Sequence, residues 1–386
     1  MTIQRREDAH TSGLYQKRPL AIVRGEGALV WDAGGNEYID CVGGQGSANL
    51  GHGNAVVAEA VARQARELAS CTELFYSDRR AELYDALARV LPAELDRFFL
   101  CNSGAEAVEA ALKFARMATG RSRVVATMRG FHGKTMGALA ATWGPEYRAP
   151  LGGDALFPGA SHVPFNRIDP LDAAIGPDTA AFVLELVQGE GGVRPADPAF
   201  ARAAARLCRE RGALLILDEV QTGFCRTGTT FAFEQYGVVP DLLCLAKSIA
   251  GGLPMGAVAF ARTLGDLPKR SHSTTFGGNP VACAAAVAAL AEMERLELAR
   301  RARERGAQLL DGLRGIESPR VREVRGLGLL CGIELKENAG PTIRALQDRG
   351  VLALGAGPTV VRFLPPLVIT PAQVDRVIAA TAQALA

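Results

Sequence analysis

Three stretches of this sequence combine residue types that could do chemistry. ALLILDEVQTG carries an apolar run directly into Asp218 and Glu219. DLLCLAKSIAGGLPMG carries another into Lys247, followed by small residues that let other groups approach closely. RFFLCNSGAEAVEAALKFARMATG places Ser103 and Gly104 where an apolar run gives way to a helical pattern. Alone, a strand-end lysine reads as a snorkelling surface residue, and a strand-end aspartate as a loop cap. Together they offer an amine that can condense with a carbonyl carbon and a carboxylate that can keep a proton on a ring nitrogen.

Those are two requirements of pyridoxal phosphate, which needs a lysine amine for its aldehyde and an anionic partner for its pyridinium nitrogen. The third stretch fits the remaining requirement. Ser103 with Glu106 one turn later is a capping-box signature, and a helix beginning at Gly104 presents free N–H groups and a favourable dipole to a phosphate.

The elements that must hold these residues follow from the pattern of apolar runs. Residues up to about 20 are polar and read as an arm, and AIVRGEGALVWDAGGNEYIDCVGG alternates apolar runs with turn residues, as a short β meander does. From Asn54 on, helical patterns separate the apolar segments RFFLCN, VVATM, AFVLELV, ALLILDEV and LLCLAKSI. Buried strands alternating with helices predict an α/β layer with a mainly parallel sheet, whose ligands bind at the carboxyl ends of the strands. An Ala-rich helix from Asn279 leads into VREVRGLGLLCGIEL and VVRFLPPLVI, two strand-like segments of a smaller α+β domain that packs with the meander. The expected division is an arm and meander over 1–50, belonging to the small domain, a large cofactor-binding domain over 51–278, and a C-terminal small domain over 279–386.

Composition excludes several classes. Across 386 residues, 48% are hydrophobic and 22% charged, with a formal net charge of +2; this is the balance of a globular chain and lacks the basic excess of a nucleic-acid binder. The eight cysteines are scattered, and no CxxC zinc spacing occurs. They read as reduced thiols in apolar elements, and with MTIQRREDAH lacking a leader's apolar run, a cytoplasmic enzyme with no membrane segment is expected. Rival motifs fail on single residues: Met128 stands where a phosphate loop ending in Gly133, Lys134 and Thr135 needs glycine, Cys331 interrupts a dinucleotide fingerprint in GLGLLCG, and Ser103 lacks a GxSxG setting.

CNSGAEAVEAALKFAR, RGFHGKT, QGEGGV, LDEVQTGFCRTG, LAKSIAGGLPMG, TTFGGNP and VRFLPPLVI, in this order, resemble the signature of class-III aminotransferases across essentially the whole chain. Within that family the resemblance is to the acetylornithine branch, and most of all to its subgroup acting on lysine or ornithine tethered to an acidic amino-group carrier protein. It implies a pyridoxal-phosphate-dependent transferase of fold type I, with a large, mainly parallel seven-stranded sheet domain and a smaller α+β domain, working as a homodimer with shared active sites. It assigns Lys247 to the Schiff base and, once released, to proton transfer. Asp218 falls to the ring nitrogen, and Gln221 to the vicinity of the ring hydroxyl. Ser103, Gly104 and Ala105 form the phosphate cup, Phe131 stacks on the ring, and Glu219 and Val220 complete the cofactor site. Thr275 becomes a phosphate ligand given by the partner subunit, with Thr274 beside the substrate. Glu190 and Arg362 become a salt bridge that opens and closes as amino donor and 2-oxoglutarate alternate.

Two positions depart from the pattern. Lys134 stands where relatives carry an arginine that grips a substrate carboxylate, keeping the charge but losing the fork, and Gln45 stands where Tyr or an aliphatic residue is common near the substrate tail. Tyr15 is a further candidate for the entrance, and Lys17, Arg18 and Lys134 for a positive rim facing the carrier. The donor therefore stays open among carrier-bound lysine or ornithine, N-acetylornithine, and free ω-amino acids such as ornithine or 4-aminobutyrate. A noncatalytic regulator that binds the cofactor is the alternative from another class; it would bind without the change in visible absorbance that an amine donor causes in an enzyme.

Overall fold

The computed structural model describes residues 2–153 and 159–386. The meander forms as β1 (Ile22–Glu26), β2 (Leu29–Asp32) and β3 (Glu37–Asp40), joined antiparallel. A seven-stranded sheet follows, built from β4 (Arg97–Cys101), β5 (Arg123–Thr127), β6 (Ala160–Val163) and β7 (Thr179–Leu184), then, after the hairpin β8 (Val187–Gln188) and β9 (Arg194–Pro195), from β10 (Leu214–Asp218), β11 (Leu242–Leu245) and β12 (Gly256–Phe260). Its order is β4-β12-β11-β10-β7-β5-β6, and β12 alone runs against the rest. The α/β class and the mainly parallel sheet are as the apolar pattern predicts, and the seven strands as the resemblance implies.

The strands are apolar throughout because helices cover both faces of the sheet: every residue of β7 and of β11 is buried. The helix Gly104–Thr119 packs on one face, capped by Ser103 at its start and by Gly120, at φ 66°, at its end. The helix Pro198–Arg211 is on the other, with Phe200 against Phe182 of β7. All eight cysteines are unbonded, and seven are buried.

The C-terminal segment forms β13 (Val321–Leu327), β14 (Leu330–Leu335), β15 (Val351–Leu352), β16 (Leu354–Gly355) and β17 (Val360–Phe363), flanked by the helices Leu298–Arg314 and Pro371–Leu385. β13, β14, β17 and β16 make one antiparallel sheet. β15 leaves it and pairs parallel with β3, Val351 opposite Ile39 and Leu352 opposite Asp40, so the meander and the C-terminal segment share a sheet. Among the described residues no helix is long and apolar enough to cross a membrane.

Candidate active site

Because β4, β5, β7, β10 and β11 all point the same way, their carboxyl ends meet at one edge of the sheet. They deliver Ser103, the loop from Met128 to Lys134, Glu185, Asp218 and Lys247 in turn, and these residues line or border a cleft of about 630 Å3. Gly104, Ala105, Phe131, Lys134, Glu190, Val220 and Gln221 line the same cleft, as do Tyr15 and Gln45.

At one end of the cleft, Ser103 Oγ accepts from Glu106 N at 3.2 Å. The reciprocal half of the expected capping box is displaced by one residue: the Glu106 carboxylate takes both the backbone N and the side-chain Nδ2 of Asn102, at 2.7 and 2.9 Å. Two donors on Asn102 outcompete the single N–H of Ser103. A Cβ on Gly104 would lie 2.8 Å from Val220 Cγ1, so glycine is required for this turn to sit against β10. The first-turn N–H groups of Gly104 and Ala105 then have no partner inside the helix.

At the opposite end of the cleft, Asp218 Oδ1 accepts from Val220 N at 3.0 Å, and Oδ2 accepts from His132 Nδ1 at 2.8 Å. His132 is completely enclosed; burial opposes its protonation, but the hydrogen bond and charge of Asp218 outweigh that and raise its pKa above 6.5. Glu185 stands beside this pair. Burial pushes its carboxyl up to about 7, against the opposing effects of His132 and of two backbone donors.

Lys247 opens a short 3-10 turn after β11 with φ at 47°, in the left-handed region. For a residue other than glycine this costs on the order of 1–3 kcal/mol, a cost that recurs at sites where geometry serves chemistry. Burial lowers its pKa, although Asp218 and Glu190 pull the other way. Its Nζ makes no hydrogen bond or ion pair among the described residues. An enclosed amine biased toward its neutral form is a nucleophile.

Arg362, on β17, is 2% exposed and lies behind the cleft wall. Its Nη2 meets Glu190 Oε1 at 2.6 Å, its Nη1 donates to Gln221 Oε1 at 3.2 Å, and its Nε has no partner among the described residues. At the mouth, Lys134 is exposed with Nζ 4.7 Å from the ring centre of Tyr147, which in turn lies edge-on to Phe131 at 6.0 Å.

Several expectations need correction. Glu219 does not face the cleft: it is fully buried, and its carboxylate is taken by Thr222 Oγ1, Ala232 N and Phe233 N, so strand alternation turns it to the far side from Asp218. Thr275 is not among these corrections, because the expectation gives it to the partner's site: it is exposed and lies outside the cleft of its own chain, while Thr274 Oγ1 accepts from Asn102 Nδ2 at 2.9 Å. Lys17 is paired with Glu7 at 2.9 Å and with Asp8, so its charge is matched within the arm, whereas Arg18 donates to the carbonyl of Ala353 and keeps its charge. The residues missed by sequence reasoning are His132, Glu185 and Tyr147. A glutamate inside the otherwise apolar run AFVLELV was the available signal for Glu185.

Pyridoxal phosphate fits this donor set: an unpartnered enclosed amine, a buried carboxylate backed by an imidazole, and a glycine turn at a helix start, all on one cleft.

Comparison with known proteins agrees in kind. The family model described as aminotransferase class-III matches residues 12–385. A LysW-aminoadipate semialdehyde transaminase from Deinococcus radiodurans is 54% identical over 97% of this chain and 88% of its own. An acetylornithine aminotransferase from Methanosarcina mazei is 45% identical over 96% and 93%. Among solved structures, an ornithine aminotransferase from Toxoplasma gondii, described with partial occupancy of PLP, superposes with a TM-score of 0.94 at 34% identity, covering 99% of this chain and 93% of the other.

Proposed function

The chain belongs to the class-III aminotransferases and depends on pyridoxal phosphate, and from that premise we propose that it transfers the terminal amino group of lysine, or ornithine, held on an amino-group carrier protein to 2-oxoglutarate, reversibly, in amino-acid biosynthesis. The observation that carries this choice of donor is the likeness to the Deinococcus radiodurans transaminase, which exceeds that to the acetylornithine aminotransferases. A panel of donors with 2-oxoglutarate as acceptor tests it. The carrier-linked amine is expected to give the highest kcat/KM, at least about tenfold above N-acetylornithine and free ornithine, a gap of about 1.4 kcal/mol. Preference for free 4-aminobutyrate would overturn the biosynthetic reading.

When bound, pyridoxal phosphate supplies an aldehyde that condenses with amines and a ring that accepts the electrons of a breaking carbon–hydrogen bond. The protein's own part divides among named residues. Lys247 would hold the cofactor through its amine and, when that amine is free, would take up and return the proton of the donor's carbon–hydrogen bond. Asp218, held by His132, keeps the proton on the ring nitrogen. The turn Ser103–Ala105 receives the phosphate, and Val220 and Phe131 bound the slot for the ring.

Glu190 and Arg362 act as a gate. With the pair closed, as at 2.6 Å here, the guanidinium is neutralised and an amine donor enters; with it open, the Arg362 fork takes a carboxylate of 2-oxoglutarate. Replacing Arg362 with Ala is expected to raise the KM for 2-oxoglutarate about ten- to a hundredfold, the weight of hydrogen bonds between charged groups, while the donor half-reaction changes far less. An unchanged KM would remove Arg362 from keto-acid recognition.

The working unit is a homodimer in which Thr275 reaches the partner's phosphate site. The exposure of Thr275, and of the large apolar side chains Leu74, Phe75, Tyr76 and Phe276, supports a surface covered by a second copy. Lys134, unpaired at the mouth, is the residue placed to meet an anionic part of the donor or its carrier.

A further inference from the structure

We propose that Glu185 is a positioning residue for the gate: its buried carboxylate ties the wall that carries Phe131 to the hairpin that carries Glu190, and so keeps Glu190 within reach of Arg362. The proposal rests on the reading of Glu190 and Arg362 as a gate.

The geometry is a staple with two arms. Glu185 Oε2 accepts from Phe131 N at 2.9 Å, and Oε1 accepts from Gly189 N at 3.3 Å. Phe131 bounds the cofactor slot, and Gly189 is the residue before Glu190 at the tip between β8 and β9. The hairpin is seated closely on both sides. A Cβ on Gly189 would collide with Gln221 Oε1, the atom that also accepts from Arg362, and a Cβ on Gly191 would collide with the carbonyl oxygen of Arg129. Arg129 and Val193, which flank the two arms, both hold positive φ, at 67° and 52°. The base of the hairpin is fixed by the β8–β9 ladder and by Gln188 Nε2, which donates to Thr127 Oγ1 and Met128 O at 3.0 and 2.9 Å; beyond that base, Glu185 is the side chain that joins Phe131 to Gly189, the residue next to Glu190.

The chemistry of the side chain matters as much as its place. Glu185 is 5% exposed and has no salt-bridge partner among the described residues. A buried carboxylate is unfavourable; His132 and the two backbone N–H groups that its oxygens accept offset part of that cost. An amide can accept only on its oxygen; its NH2 would face the second N–H, and one arm of the staple would be lost.

The test compares half-reactions of the cofactor-loaded enzyme by stopped-flow absorbance. Glu185→Gln is expected to reduce kcat/KM for the donor half-reaction about tenfold, as one lost hydrogen bond to a charged group would, because Glu190 no longer neutralises Arg362. The 2-oxoglutarate half-reaction should stay within about twofold. In a Glu190→Gln background the same substitution should add little, since the residue it positions is already gone. Glu185→Asp, which keeps the charge on a shorter stem, should fall between and provides the reading should the amide variant fail to fold. Equal losses in both half-reactions, or full additivity with Glu190→Gln, would overturn the proposal. Should Glu190→Gln alone cause no asymmetry between the half-reactions, the gate itself is what fails.

Discussion

Replacing Lys247 with Ala is expected to lower turnover by at least about 10^4-fold, the upper range of a positioned general base, with the lost covalent anchor adding to it. The structure supplies the reason for so large a value. The amine is enclosed in the cleft, burial holds its pKa down, and no other lysine lines that space to substitute for it apart from the exposed Lys134 at the mouth. The measurement is twofold. Steady-state turnover with any competent donor should vanish, and borohydride reduction followed by denaturation should leave the cofactor on the native chain but not on the variant. The variant should still bind the cofactor non-covalently, because the turn at Gly104 and the Asp218–His132 pair are untouched. Substantial multiple turnover in the variant would refute the assignment.

The second large effect is expected at Asp218. Asp218→Asn preserves shape but removes the charge that favours a protonated ring nitrogen, and a loss of about 10^2- to 10^3-fold in kcat is expected, comparable to removing one preorganised electrostatic partner. A second readout concerns His132. Its pKa is raised in the folded protein, so the stability it contributes is fully present below about pH 6.5 and is lost as pH rises through the higher folded value. Without the Asp218 charge that gain disappears. The stability gap between native protein and variant should therefore be widest in mild acid and narrow with rising pH; a gap that widened instead would place the proton elsewhere than on His132.

The parts of the site legible in the sequence were those written into regular elements. Asp218 and Lys247 end apolar strands, Gly104 opens a helix, and the parallel order of those strands brings the three ends together. Residues whose role depends on contacts across the fold were harder. His132 and Glu185 meet Asp218 and Phe131 only because β5 lies beside β7 and β7 beside β10, a neighbour relation that periodicity does not encode. Glu219 failed for the opposite reason: adjacency to Asp218 suggested a shared role, whereas alternation along the strand sends successive side chains to opposite faces. The left-handed backbone of Lys247 carried no signal, since nothing in its residue type favours that conformation.

The pairing of β3 with β15 bears on how the chain is made. Ile39 finds Val351 only after most of the polypeptide has left the ribosome. At roughly 5–20 residues per second, the meander waits on the order of 15–60 s for its fourth strand. Over that interval the β3 edge is an open template for other strands, and the central sheet between them can assemble first. Closure of the molecule is thus timed by synthesis itself, and truncated chains ending before Leu352 would be left with an unpaired edge, natural prey for chaperones or for aggregation.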